Sequence, residues 1–116
     1  CGLASRNYSI NLSEGYWVKS SSAANLTRIG FEIDPVTQTL RTGWNLIGVR
    51  NSTWAEPICI SINSTCGGGC ASSVVLLNTT TDSYQSHVCG LAANNFSMGL
   101  GIGYWVNMNS TTTWTY

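Results

Sequence analysis

A long internal repeat limits the possible folds of this chain more than any other feature of the sequence does. Residues 1–28 align without a gap to residues 89–116, with 13 identities in 28 positions. The two copies share the letters CGLA, an Asn-aromatic-Ser triplet, a leucine and the sequence GYWV. The period is 88 residues, so the 116-residue chain is one full unit preceded by a second copy of that unit's terminal segment. We therefore divide the chain into an N-terminal donor-like segment, residues 1–28, and a domain, residues 29–116.

Most of the sequence is typical of β-strands, because Val, Ile, Thr, Tyr and Trp are frequent and good helix formers are few. Polar and apolar side chains alternate over residues 7–13, which predicts a half-buried strand. Residues 43–49 are apolar on both sides and predict a central strand covered on both faces. A turn is predicted at residues 67–69, and only residues 20–25 are expected to form a helical turn. The predicted fold class is all-β, a small antiparallel sandwich or barrel whose terminal strand segment is duplicated at the N-terminus.

The second copy of the repeat is predicted to form one strand from residue 95 to residue 102. Its inward positions are Phe96, Met98, Leu100 and Ile102. Its outward positions are Asn95, Ser97, Gly99 and Gly101. Glycine weakens a strand and is commonly found where another backbone approaches closely. We therefore predict that the face with Gly99 and Gly101 contacts a neighbouring subunit.

The chain carries little charge. Five Lys and Arg balance five Asp and Glu, and only 9% of the residues are charged. A net charge of zero argues against nucleic acid or an anionic membrane as a partner, because both require a basic surface. Apolar runs are short, so no membrane span is predicted.

Asparagine placement suggests what replaces the charges as a solubilising layer. Eight of the eleven asparagines stand in Asn-x-Ser/Thr triplets, which accept N-glycans. Chance would place about three of them there, given how frequent Ser and Thr are. A Ser/Thr-rich β protein forms some such triplets by accident, but the excess favours covalent N-glycans and an extracellular location. The predicted sites are Asn7, Asn11, Asn25, Asn51, Asn63, Asn78, Asn95 and Asn109.

Cysteine usage agrees with an oxidising compartment. Four cysteines lie within 31 residues of a small domain, where disulfides add most to stability. They allow three pairings; the flexible glycine run favours Cys66 with Cys70, which leaves Cys59 with Cys89. The fifth, Cys1, aligns with Cys89 and is expected to bond to another subunit or a preceding module.

Zinc is the alternative use of these residues, since Cys66, Cys70, His87 and Cys89 are residue types that zinc prefers. In an exported chain, disulfides are the better interpretation. We therefore predict no metal and no cofactor.

No arrangement of residues predicts catalysis. Glu32 and Asp34 share one face of a strand, which suits a cation or an acid/base pair but is more typical of a solvated strand face. His87 with a serine and Asp82 has the composition of a triad, but the Gly-x-Ser-x-Gly motif is missing. We predict no catalytic residues and no enzymatic activity.

Aromatic residues offer a different function. Large rings on an exposed β surface stack on sugars, whereas the same rings in a small sandwich fill its core. The core interpretation is favoured, and a glycan-binding adhesin module is the alternative function. The residues in question are Tyr16, Trp17, Trp54, Tyr104, Trp105, Trp114 and Tyr116.

The sequence GWNLI at residues 43–47 and GYWV at residues 103–106 resemble the signature of β modules repeated in archaeal and bacterial surface proteins, including S-layer-like ones. The cysteines, the dense glycosylation triplets and the additional GYWV at residues 15–18 depart from that pattern. The architecture also resembles subunits of glycosylated archaeal surface filaments, in which a terminal strand of one subunit completes the sheet of the next. These resemblances imply a structural role at the cell surface.

The expected function is that of a secreted structural subunit that assembles head to tail with copies of itself into a filament or surface array. Residues 1–28 add a strand to a neighbour's open sheet edge, or else they belong to a preceding module of a longer repeat protein. The expected contact residues are Tyr8, Ile10, Leu12, Tyr16, Val18, Gly99 and Gly101.

Overall fold

The computed structural model of the chain describes residues 18–25 and 35–116. Several predictions lie outside the described residues, among them the strand at residues 7–13, the pair at residues 32 and 34, and Trp17. Three further groups of predicted residues also lie outside the described ranges: the disulfide residue Cys1, the glycosylation sites Asn7 and Asn11, and the contact residues Tyr8, Ile10, Leu12 and Tyr16.

The described residues form an antiparallel β fold with one short helix, which confirms the predicted all-β antiparallel class. The elements in chain order are β1 (Thr37–Leu40), β2 (Gly43–Gly48), β3 (Thr53–Trp54), α1 (Ala55–Ser64), β4 (Ala71–Asn78), β5 (Ser83–Val88), β6 (Ser97–Met98), β7 (Gly103–Met108) and β8 (Thr112–Thr115). The main sheet has four strands in the order β2-β7-β4-β5. Two further ladders join β1 with β8 and β3 with β6, and all pairs are antiparallel.

The helix α1 corrects the prediction that only residues 20–25 would turn helically; those residues form no helix. Its buried residues are Ala55, Ile58, Cys59 and Ile62, a spacing that gives a helix one apolar face. Pro57 lies in the first turn, where a missing N–H removes no helical hydrogen bond. A distant loop caps the helix, since Asn95 Oδ1 accepts a hydrogen bond from the N–H of Glu56.

The core lies between α1 and one face of the main sheet, which we call the inner face. Ile47, Val74, Tyr104 and Val106 occupy this face and are fully buried. Trp114 of β8 closes one end, where its Nε1 donates a hydrogen bond to Ser61 Oγ of α1 at 2.9 Å. The Tyr104 hydroxyl accepts a hydrogen bond from the N–H of Gly99 at 2.7 Å.

Strand β2 differs from its prediction. It lies at an edge of the main sheet, with β7 as its neighbour, and is not a central strand. Ile47 is fully buried on the inner face, but Trp44 on the opposite face is 56% exposed. The apolar residues of both faces were predicted to be covered, whereas the described residues cover one face only.

The strand predicted for residues 95–102 is also shorter than expected. Phe96 and Met98 are buried as predicted, but Leu100 and Ile102 are exposed. Only β6 and β7 are strands here, and residues 100 and 101 form a turn between them. Gly101 has a φ of 77°, which other residues rarely adopt, so local backbone conformation explains this glycine.

Candidate assembly surface

The outer face of the main sheet, opposite α1, carries apolar side chains that the described residues leave partly exposed. The strand registers place a row of apolar side chains on it. Its members are Trp44, Leu46, Val75, Leu77, Tyr84, Val88 and Trp105. Tyr84 is 68% exposed and Val88 50% exposed. Contiguous exposed apolar surface of this kind marks sites of protein association or ligand binding.

An open groove of about 410 Å³ runs along one end of this face. Leu46, Leu77 and Trp105 form its floor, and the turn before β7 contributes Ile102. Asn78 lies at its rim and is itself a predicted glycosylation site. The lining is mostly apolar and carries no charged residue, so it suits apolar side chains better than an ion or a phosphate.

Strand β5 is the second element of this surface. It forms one edge of the main sheet, and five of its six residues are exposed. Its sequence, SYQSHV, contains no Lys, Arg, Asp, Glu or Pro. Edge strands are usually protected by charges, prolines or bulges, because an open edge pairs with other strands. This edge has none of these protective residues.

The predicted contact residues within the described ranges do not form one cluster by themselves. Val18 is 71% exposed and lies in an irregular segment. Gly101 lies in the turn beside the groove, and a Cβ at Gly99 would meet only Ile102 at 3.7 Å. No close backbone approach within the described chain therefore requires glycine at position 99.

The described glycosylation triplets fall into two groups. Asn25, Asn51, Asn78 and Asn109 are exposed, as expected for acceptor sites. Asn63 and Asn95 are half-buried, and their side chains hold the backbone. The Asn63 amide bonds both backbone groups of Ala71: its Oδ1 accepts from the N–H at 2.7 Å, and its Nδ2 donates to the carbonyl at 3.4 Å.

Both favoured disulfide pairings are confirmed. Cys59 of α1 bonds to Cys89, directly after β5, and Cys66 bonds to Cys70 across the glycine turn. Residues 67–69 all have positive φ, which explains why glycine stands at each position. The first disulfide fixes the helix to the edge strand.

Beside that disulfide lies a polar contact that sequence analysis did not identify. His87 is fully buried, with its Nε2 at 2.6 Å from Glu56 Oε2 and its Nδ1 at 3.1 Å from the Ala93 carbonyl. Burial opposes ionisation of Glu56, but hydrogen bonds from His87 and from the Gly90 N–H outweigh it and lower the pKa of the Glu56 carboxyl. The two residues are 31 positions apart, and no local pattern signals their pairing.

This arrangement is structural in character. Both ring nitrogens of His87 already have partners, so neither is available to activate a serine. Asp82 lies in an exposed turn, and the partners of the His87 ring are Glu56 and the Ala93 carbonyl. Glu56, Cys59 and His87 have donor atoms within 4.8 Å of one another, but the Cys59 sulfur is bonded to Cys89. The alternative zinc site of Cys66, Cys70, Cys89 and His87 has no free thiol, because all three cysteines form disulfides.

The aromatic residues divide between core and surface. Tyr104 and Trp114 are fully buried, which confirms the core interpretation for these two rings. Trp114 stacks on Tyr116 with 3.9 Å between ring centroids. Trp54 is 53% exposed, and Trp105 is half-buried on the outer face.

Comparison with known protein families, with curated proteins and with solved structures found no match to this chain. Among the described residues, no helix is long and apolar enough to cross a membrane. The functional interpretation therefore depends on the sequence and structure of this chain itself.

Proposed function

We propose that this chain is a secreted, N-glycosylated structural subunit that assembles head to tail into an extracellular filament or surface array. Residues 1–28 act as a donor segment that pairs with the sheet of a neighbouring copy. The observation that carries the proposal is the apolar, uncharged outer face ending in an unprotected edge strand. A small domain that exposes such a surface either binds a specific partner there or tends to aggregate. Specific binding is the functional explanation.

The disulfides support the extracellular part of the proposal. Two intrachain disulfides in a domain of this size are compatible with an oxidising compartment and are uncommon in the cytosol. Glycans on the exposed asparagines would solubilise a subunit with few charges. Two of these exposed asparagines, Asn25 and Asn51, lie outside the strands of the main sheet.

Head-to-tail pairing also gives a reason for the internal repeat, and this reason requires neither catalysis nor ligand binding. A donor that resembles part of its own acceptor domain carries the alternating apolar side chains that a β surface accepts. Such contacts use two different surfaces and do not close on themselves unless the rotation allows it, so their default product is a fibre.

The test compares two double variants of the full chain, produced in the periplasm of a bacterium that does not N-glycosylate. Ile10→Asp with Leu12→Asp charges the apolar side of the donor alternation. Ser9→Asp with Ser13→Asp adds the same charge to the polar side and serves as the control. Sedimentation velocity and negative-stain electron microscopy measure assembly.

We expect the parent chain and the control to form fibres and the Ile10/Leu12 variant to stay monomeric. A monomeric parent chain at high concentration would overturn the proposal. So would fibres of normal length from the Ile10/Leu12 variant.

Binding of polysaccharide is a second candidate, favoured by the exposed rings of Trp44 and Tyr84 on the outer face. Affinity electrophoresis through gels that contain soluble polysaccharides measures it. Retardation of the parent chain that Trp44→Ala abolishes would favour this function, whereas equal mobility with and without polysaccharide would reject it.

A further inference from the structure

The position of the second repeat copy in the sheet limits where a donated first copy can go. Residues 103–108 form β7, which pairs with β2 on one side and with β4 on the other. A folded neighbour supplies its own β7, so the first copy of another chain cannot take the equivalent place. A donated strand must add at an edge, and the edges of the main sheet are β2 and β5.

Strand β2 is less suited to accept a strand than β5. Only one of its six residues is exposed, against five of six in β5. The Gly48 carbonyl, at the end of β2, already accepts a hydrogen bond from the Tyr116 hydroxyl at 3.1 Å. A strand added at β2 would have to displace or share this contact.

Strand β5 presents open backbone groups instead. The Cys89 N–H donates to the Ser72 carbonyl, and β4 and β5 pair without a register shift over residues 83–88. In an antiparallel ladder, the backbone N–H and C=O groups of alternate residues point toward the partner strand and away from it. The N–H groups of Tyr84, Ser86 and Val88 therefore point away from β4. Within the described chain, the backbone groups of Tyr84 and Ser86 on that side have no partner.

From these features we infer that β5 is the acceptor edge and that residues 7–13 of a second copy pair with it. The inference rests on the proposed head-to-tail assembly. The alternating segment has seven residues and β5 has six, so the two lengths match. Tyr8, Ile10 and Leu12 continue the apolar outer face beside Tyr84 and Val88. The polar side of the donor, with Asn7 and Asn11, then lies on the face where Ser83 and Gln85 are open to solvent.

The test removes a free-edge N–H without removing a hydrogen bond to β4. Ser86→Pro does this, because proline lacks the N–H and is tolerated at strand edges whose N–H faces solvent. Ser86→Ala keeps the N–H and is the matched control. Ser86→Lys keeps the backbone and adds the charge that commonly protects edge strands, so it tests the edge independently if the proline variant folds poorly. Near-UV circular dichroism and thermal unfolding establish that each full-length variant is folded.

We expect fibres from Ser86→Ala and no species larger than the monomer from Ser86→Pro or Ser86→Lys. Mixing provides a second arm. Ser86→Pro retains its donor, and the Ile10/Leu12 variant retains its acceptor edge, so an equimolar mixture of the two should form dimers and nothing longer.

The outcomes separate this inference from the proposed function. If Ser86→Pro and Ser86→Lys form normal fibres while the Ile10/Leu12 variant does not, the donor pairs elsewhere and only the acceptor assignment is wrong. A mixture that stays monomeric also overturns the assignment. If all the variants form fibres, head-to-tail donation itself is wrong.

Discussion

Nε2 of His87 lies 2.6 Å from Oε2 of Glu56, which joins a fully buried imidazole on β5 to the first turn of α1. The Cys59–Cys89 disulfide joins the same helix to the residue that follows β5. One polar and one covalent link therefore hold the helix against the strand that we propose as the acceptor edge. Both links lie on the inner side, so they fix β5 in place, and its other edge has no partner strand among the described residues.

Acid should weaken the fold through Glu56. The pKa of this carboxyl is lowered in the folded chain from an ordinary value of 4.5, so the unfolded chain binds more protons just below that pH. The free energy of unfolding should rise with pH through this range, and the contribution of Glu56 should be lost as pH falls through the folded pKa. Urea unfolding between about pH 3 and about pH 7 measures the slope.

Glu56→Gln should flatten that pH dependence and cost roughly 1 to 3 kcal/mol at neutral pH, because buried His87 loses its charged partner. Asp82→Asn removes one carboxylate from an exposed turn and is the control. Equal slopes for Glu56→Gln and the parent chain would contradict the prediction.

The two disulfides should differ in what they contribute to stability. They join residues separated by 30 and by 4 positions. In the chain-entropy description, the longer loop gives the larger stabilisation, and this difference in loop length corresponds to roughly 2 kcal/mol. Replacing Cys59 and Cys89 by alanine should therefore lower the free energy of unfolding more than replacing Cys66 and Cys70. Chemical denaturation of the two double variants compares them, and the reverse order would contradict the prediction.

The contribution of the Asn95 helix cap to stability can be measured separately from the predicted glycosylation of Asn95. Asn95→Ala removes the acceptor for the Glu56 N–H and should cost about 1 kcal/mol. Ser97→Ala destroys the same triplet but leaves the cap intact, so it should change little. Both variants are compared without glycans by thermal unfolding. Equal losses would show that the cap contributes nothing.

Occupancy of the predicted glycosylation sites should follow exposure. Asn25, Asn51 and Asn78 are exposed and should be modified in the native secreted protein. Asn63 should be the least occupied, because its amide is bonded to Ala71 between α1 and β4. Peptide mass spectrometry with and without deglycosylation measures each site. Fewer than three occupied sites in the whole chain would sink the glycan interpretation, and full occupancy at Asn63 would contradict the exposure argument.

The sequence predicted those parts of the fold that local chemistry determines. Frequent β-branched and aromatic residues predicted an antiparallel β fold, and the glycine run predicted the turn that closes Cys66 onto Cys70. Helix α1 was not predicted because Ile58, Ile60 and Ile62 favour strands by composition. Its signal was the spacing of Ala55, Ile58, Cys59 and Ile62, which fits a helix period better than a strand period.

The candidate surface was harder to predict for a different reason. An apolar residue such as Trp44 shows that a strand face needs cover, but not whether the same chain supplies it. The pair of His87 and Glu56 joins residues far apart in sequence, so only the tertiary fold brings them together. The predicted strand through Leu100 and Ile102 ended early because Gly101 adopts a left-handed backbone that breaks the alternation.

The central place of β7 has a consequence for how the chain is made. Strands β2 and β4 are synthesised before β7, but β7 lies between them in the sheet. The four-stranded sheet therefore cannot form until residue 108 has been synthesised. The GYWV of residues 15–18 emerges long before that and resembles the missing strand. We therefore expect the two segments to compete for the central position while the chain is being made, which favours misfolding of the incomplete chain.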